Sequence, residues 1–175
     1  MKLFATVEEL QNFTGVYPED GNSQQELFIS SATDIIINYL GYDPSKQLRQ
    51  EISDGTGDSW LFLNSKPVTN VVRLKINGSV ISPDKYYIKP SSICLKEGTF
   101  PKGIQNISIE YESGYEQLPN VIKLTCLRIA ALLQNEANDN IGITSKSFGD
   151  SGSRTFYNFT NFNKYLSQLS SYQIF

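Results

Sequence analysis

Two pairs of carboxylates are the residues of this sequence best suited to chemistry. Asp54 and Asp58 lie four residues apart in the stretch Asp-Gly-Thr-Gly-Asp, which matches the start of a calcium-binding loop. The later ligands of such a loop are missing, so a tight turn before an apolar strand is the simpler interpretation. Glu110 and Glu112 share one face of a predicted strand, with no nucleophile or further carboxylate nearby in sequence to support glycoside hydrolysis.

The rest of the composition also argues against catalysis. The chain contains no histidine, which removes the commonest general base and the commonest metal ligand. Serines near residue 150 lack a base partner and are typical of a flexible linker. We therefore predict that the protein is not an enzyme and uses no metal and no cofactor. A hydrolase that uses Glu110 and Asp54 remains the weaker alternative.

Size and charge narrow the class of protein further. With 175 residues, 39% of them hydrophobic, the chain is long enough for one domain with a substantial core. Its apolar runs are too short for a membrane span, and the early acidic residues are atypical of a signal peptide. The basic residues are scattered and the net charge is −3, so we expect no tight binding of nucleic acid. Cys94 and Cys126 read as buried free thiols, with a disulfide between them as the alternative.

The apolar spacing divides the chain into helix, sheet and helix. Capping boxes at Thr6–Glu9 and Ser23–Glu26 begin two helices, and Gly41 is placed to end the second. Between these helices and a third one the period changes to two, and Asn77-Gly78 marks a tight hairpin. We expect a small antiparallel sheet of four to six strands inserted between two long helices that pack together. The predicted ranges are helices at 6–14, 23–40 and 119–137, with the β insertion at about 47–115.

The stretch from Gly142 to Phe159 has no periodic pattern and is long for a connection. Ordering its eighteen residues costs roughly 18–36 kcal/mol, at about 1–2 kcal/mol per residue. Its five large apolar side chains return only about 1.5–3 kcal/mol each when fully buried. We interpret the stretch as an arm that another chain must order, and a loose surface loop is the alternative. The predicted contact residues are Ile143, Phe148, Arg154, Phe156, Tyr157 and Phe159.

A set of short motifs between about residues 6 and 150 occurs in an order that points to a known family. The motifs are Thr6–Leu10, Tyr39–Tyr42, Glu51–Gly57, Leu61–Leu63, Lys66–Val71, Pro101–Gly103, Ile107–Tyr115, Leu118–Pro119 and the run from Gly142 to Asp150. In this order they resemble the head–tail connector (adaptor) proteins of long-tailed bacteriophages. The resemblance is weakest over the last 25 residues.

The resemblance implies a fold and a role. The fold is α+β: a helical bundle with an inserted small antiparallel β-sheet and an extended C-terminal arm ending in a short helix. Residues 1–140 form the adaptor body, and residues 141–175 form the arm and terminal helix. Such proteins assemble as a ring, usually of twelve subunits, that joins the capsid portal to the tail or neck and lets DNA pass through its centre.

The same resemblance implies partners and a location. The expected partners are other copies of the chain, the portal protein and a downstream neck or tail protein. DNA passes without specific binding, and no membrane is involved. The expected location is the virion neck, after assembly in the cytoplasm of the bacterial host. Rival functions are another neck ring component, such as a stopper or a tail terminator, and a carbohydrate- or peptide-binding module.

Overall fold

The computed structural model describes residues 2–18, 22–137, 145–148, 152–155 and 162–173. The chain divides into a helical unit, Met1–Gly41 with Pro119–Gln173, and a β unit, Tyr42–Leu118. This arrangement confirms the α+β class, with an antiparallel insertion between helices and a short helix at the C-terminus. The proposed boundary between a body at 1–140 and an arm at 141–175 stays a prediction.

The helical unit begins with helix α1, Val7–Thr14, and helix α2, Ser23–Leu40. The capping box of α1 is present: the Glu9 N–H donates to Thr6 Oγ1 at 3.1 Å, and the Thr6 N–H donates to Glu9 Oε2 at 2.9 Å. The box predicted for α2 is wrong. Asn22 is the N-cap without a side-chain capping bond, since its Oδ1 accepts from Gln11 Nε2 instead.

Helix α3, Asn120–Ala137, packs against α2 as predicted. Ile29, Ala32 and Ile36 of α2 and Cys126, Ile129 and Ala130 of α3 are fully buried. A charged contact joins α1 to α3, because Lys123 Nζ donates to Glu9 Oε1 at 2.6 Å. Among the helices that the structure describes, none combines the length and apolar character needed to cross a bilayer.

The β unit contains seven strands in two sheets, where we expected one sheet of four to six. The strands are β1 Gln47–Gly55, β2 Trp60–Phe62, β3 Val68–Ile76, β4 Ser79–Ile81, β5 Tyr86–Lys89, β6 Ser92–Leu95 and β7 Gly103–Ser113. One sheet has the order β1-β7-β3-β4 and the other the order β2-β6-β5, all antiparallel. The predicted Asn77-Gly78 hairpin joins β3 to β4, with φ of 51° and 80°. Which strands pair depends on long-range packing, and for that reason local periodicity did not separate the two sheets.

The two sheets of the β unit share one hydrophobic core. It includes Leu61 and Ile93 from one sheet and Leu74, Ile109 and Tyr111 from the other, all buried. The Tyr111 hydroxyl donates to Glu51 Oε1 within this core. Strands β6 and β7 contribute alternate side chains, Ile93 and Leu95 from one and Ile107, Ile109 and Tyr111 from the other, as a period of two requires.

Two short elements follow α3. Strands β8, Ser145–Phe148, and β9, Gly152–Thr155, pair with each other as a hairpin. Helix α4, Phe162–Leu166, then continues into a 3-10 helix, Ser167–Tyr172, and together these two form the terminal helix.

Candidate interface

The arm is the site predicted from sequence, and the structure describes part of it. In the β8–β9 hairpin, Phe148 pairs with Gly152 and Arg154 pairs with Lys146. Ile143, Phe156, Tyr157 and Phe159 lie outside the described residues. The part of the arm that is described therefore has a regular structure, a hairpin that the sequence analysis above does not predict.

A signal for this hairpin is present in the sequence. Three residues, Gly149, Asp150 and Ser151, separate the two strands, and short linkers that contain Gly are typical of hairpins. The flanking strands lack alternating apolar residues, so a period of two does not mark them in the sequence. A two-stranded hairpin by itself is marginally stable in water. The interpretation of the arm as a segment completed by another chain stays a prediction.

The terminal helix was expected to end an extended arm, whereas in the structure it packs on the helical unit. Phe162, Leu166 and Leu169 are buried, and Leu169 is 0% exposed. At its end, Gln173 Nε2 donates to the Tyr39 carbonyl oxygen of α2 at 2.8 Å. These contacts hold the terminal helix on the helical unit, because its apolar face is covered by α2 and α3.

Further contacts join the terminal helix to α3. The Arg128 guanidinium lies 5.5 Å from the centre of the Tyr165 ring, and Arg128 Nη1 donates to Gln168 Oε1 at 3.4 Å. The arm therefore lies within a segment of 24 residues, 138–161, that connects the end of α3 to the start of α4. With both ends held, its tip extends at most about 40 Å, half of the contour length.

The Asp54–Asp58 stretch is a structural loop in the β unit. Asp54 Oδ1 accepts the Gln105 N–H at 2.6 Å, and the Gly55 N–H donates to Asn106 Oδ1 at 2.8 Å. A Cβ on Gly55 would lie 1.8 Å from the Pro101 carbonyl oxygen, so only glycine fits. Within the described residues, no three acidic or cysteine side chains are grouped to hold a metal ion.

The other residues considered for chemistry also have structural surroundings. Glu110 lies opposite Gln50 and Arg73 in the four-stranded sheet, and its Oε1 accepts from Gln50 Nε2 at 3.3 Å. Cys94 and Cys126 are free thiols. Burial among apolar groups raises the pKa of Cys126 to about 11, so this thiol stays protonated near neutral pH.

The aromatic side chains of the β unit divide into a buried group and an exposed group. Tyr86 and Tyr111 are buried, but Trp60, Phe62 and Tyr87 are exposed. Asp58, Ser59, Trp60 and Phe62 line a cleft of about 370 Å³. An exposed cluster of this kind is a typical site for contact with another chain.

The comparisons with known proteins identify the family. The model of the head completion protein family matches residues 3–166, and the chain belongs to this family. The chain is also 27% identical over 120 residues to the head completion protein of Escherichia phage T5, covering 68% of this chain and 69% of that protein. These findings confirm the predicted family and function: the chain is a structural component of the phage head–tail connector or neck, a virion component at the junction of head and tail.

Solved structures share the fold at low sequence identity. A chain in the neck of the native GTA particle, computed with C12 symmetry, has a TM-score of 0.62 at 10% identity, over 97% of this chain and 88% of that one. A chain in the neck of the empty GTA particle, computed with C6 symmetry, has a TM-score of 0.64 at 9% identity, over 98% of this chain and 90% of that one. The helical unit and β insertion are thus a known architecture.

Proposed function

We propose that this chain is one subunit of a ring that joins the capsid portal to the next neck or tail protein, with DNA passing through its centre. The observation that carries the proposal is membership of the head completion protein family over residues 3–166. The fold shared with chains of GTA necks, whose structures were computed with C12 and C6 symmetry, supports a ring, and twelve is the subunit number that we propose. The ring assembles in the host cytoplasm, and its role requires no catalytic step and no cofactor.

The charge distribution supports the passage of DNA without retention. Residues 1–41, which contain α1 and α2, include one lysine and six carboxylates, whereas residues 42–118 contain nine cations and nine carboxylates. A surface that carries Glu8, Glu26 and Asp34, all on these first two helices, repels phosphates. A lumen lined by such helices would let DNA slide.

The arm supplies the proposed contact with the portal or with a neighbouring subunit. The segment that contains the arm connects α3 to α4, so we propose that the arm contacts a partner without a change in the core of the helical unit. The proposed contact residues are Ile143, Phe148, Arg154, Phe156, Tyr157 and Phe159. Because the terminal helix packs on α2 and α3, we leave it out of the contact surface.

Excision of the arm tests this function. We expect a variant whose residues 142–159 are replaced by a short Gly-Ser linker to unfold like the parent protein but to lose attachment to a portal. Negative-stain images and co-sedimentation with the purified portal measure attachment, and thermal unfolding measures the fold. Leu169→Ala is the matched control, because it should lower stability and leave the arm intact. An excised variant that still forms rings and still attaches to the portal would overturn the role of the arm.

A further inference from the structure

The outer face of the three-stranded sheet carries aromatic side chains that the described residues leave largely exposed, although Lys96 Nζ lies 4.8 Å from the centre of the Tyr87 ring. The register places Trp60, Cys94 and Tyr87 side by side across β2, β6 and β5. Phe62 lies two residues beyond Trp60 and is 73% exposed, while Trp60 is 42% and Tyr87 55% exposed. Burial of such rings is what drives most interfaces.

The backbone of β2 is open at the same place. The Leu63 N–H donates to the Ser91 carbonyl oxygen at 3.0 Å, and the Leu95 N–H donates to the Ser59 carbonyl oxygen at 2.9 Å. Since the pattern alternates along an antiparallel pair, the N–H and C=O groups of Trp60 and Phe62 point away from β6. Strand β2 is an edge of its sheet, and no described residue hydrogen-bonds to these groups. We call Trp60 and Phe62, with their outward backbone groups and the adjoining cleft, the aromatic edge.

We propose that residues 156–159 of a second copy of this chain add to the aromatic edge as an extra strand. The inference rests on the proposed ring, and it names which surface of the neighbouring subunit receives the arm. Addition of a strand would satisfy the outward backbone groups and place aromatic side chains beside Trp60 and Phe62. A contact that joins two different surfaces is the heterologous kind that closes a ring.

Three properties of the two segments match. The sequence of residues 156–159 is Phe-Tyr-Asn-Phe, which has the strong strand preference of aromatic residues. Residues 156–161 separate β9 from α4, and six residues span about 20 Å when extended, enough for a strand of four. Arg154 precedes the aromatic run, and Asp58 lines the cleft beside Trp60, so the charges are complementary.

Trp60 is the only tryptophan of the chain and reports directly on this surface. The test uses a full-length arm variant, with Phe156, Tyr157 and Phe159 all changed to Ser, and a synthetic peptide of residues 152–161, which contains no tryptophan. We expect the peptide to shift the emission of Trp60 to shorter wavelength, saturably, and to protect it from acrylamide. The control peptide carries the same three changes to Ser and should have no effect.

Substitution of Phe62 separates strand addition from simple aromatic contact. Phe62→Pro removes the outward N–H and the ring but leaves the bonds of Leu61 and Leu63 to β6, whereas Phe62→Ala removes the ring alone. We expect Phe62→Pro in the arm variant to weaken peptide binding by about 30-fold or more, the size of an interface hot spot, and Phe62→Ala to weaken it less. Unchanged Trp60 emission at millimolar peptide, or equal binding to the Phe62→Pro protein, would overturn the proposal.

Mixing two variants tests whether the contact joins two copies. The arm variant keeps the aromatic edge, and the Phe62→Pro variant keeps the arm. We expect each alone to sediment as a monomer and the mixture to contain heterodimers; a mixture of monomers would overturn the assignment to a second copy. If rings form and acrylamide still quenches Trp60 fully, the proposed strand addition is wrong and the proposed ring stands. If the peptide binds to the aromatic edge and no ring forms, the proposed ring is wrong and the strand addition stands.

Discussion

The two faces of the three-stranded sheet carry similar side chains and have opposite surroundings. Leu61, Ile93 and Tyr86 point inward and belong to the core that the two sheets of the β unit share. Trp60 and Phe62, on the same short strand as Leu61, point outward and remain exposed. This difference shows that a strand can carry apolar side chains on both faces while its own chain covers only one of them. The uncovered face is where assembly can bury surface without any effect on the fold of the subunit.

The largest effect should come from the inner face. Ile93→Ala removes a fully buried side chain from the core, and we expect the free energy of unfolding to fall by about 2–5 kcal/mol. Urea denaturation measures the change. Phe62→Ala is the matched comparison on the neighbouring strand. A loss below about 1 kcal/mol for Ile93→Ala would mean that the two faces do not differ as described.

Tyr111→Phe removes the hydroxyl group that donates a hydrogen bond to Glu51 Oε1. We expect a loss of about 1–3 kcal/mol at neutral pH, since Glu51 loses one of its donors. Burial, and then the bond to Glu51, raise the pKa of Tyr111, so its stabilisation is complete below the pKa of about 10 in the unfolded chain.

That stabilisation should decline as the pH rises further. Unfolding measured between pH 8 and pH 11 should therefore show a loss of stability in the parent that is smaller in the Tyr111→Phe protein. Parallel profiles for the two proteins would indicate that the Tyr111 hydroxyl is not held in the core.

Glu9→Gln tests whether a surface ion pair contributes as much as burial does. The hydrogen bond from Lys123 lowers the pKa of Glu9, so the stabilisation is present above about pH 4.5 and is lost as the pH falls. Because both side chains are more than a third exposed, we expect at most about 1 kcal/mol at pH 7 and a smaller difference at pH 3. Lys123→Met should behave alike, and an effect as large as that of Ile93→Ala would contradict this ranking.

The smallest effect on stability should come from the outer face. Phe62→Ser leaves the core intact, and we expect the free energy of unfolding to stay within about 0.5 kcal/mol of the parent value. The same protein should assemble more weakly, as sedimentation velocity would show. A strongly destabilised Phe62→Ser protein would show that this face is already covered within the subunit.

Local signals in the sequence determined the helices and the hairpin of the β unit. Thr6 with Glu9 began α1, Gly41 ended α2, and Asn77-Gly78 joined β3 to β4, since each depends on residues close together in the chain. The ordered motifs also led to the correct family. The absence of histidine means that no histidine serves as a general base or a metal ligand in this chain, and packing cannot change this.

Tertiary structure decided the features that depend on distant residues. The seven strands of the β unit formed two sheets, and the terminal helix, which was expected to end the arm, packed its apolar face on α2 and α3 with Leu169 fully buried. The aromatic residues of β2 and β5 separated into a buried residue, Tyr86, and the exposed residues Trp60, Phe62 and Tyr87 only when the sheets met. The physical reason is that periodicity specifies which side chains share a face, whereas the chain that packs against that face is specified by the whole fold.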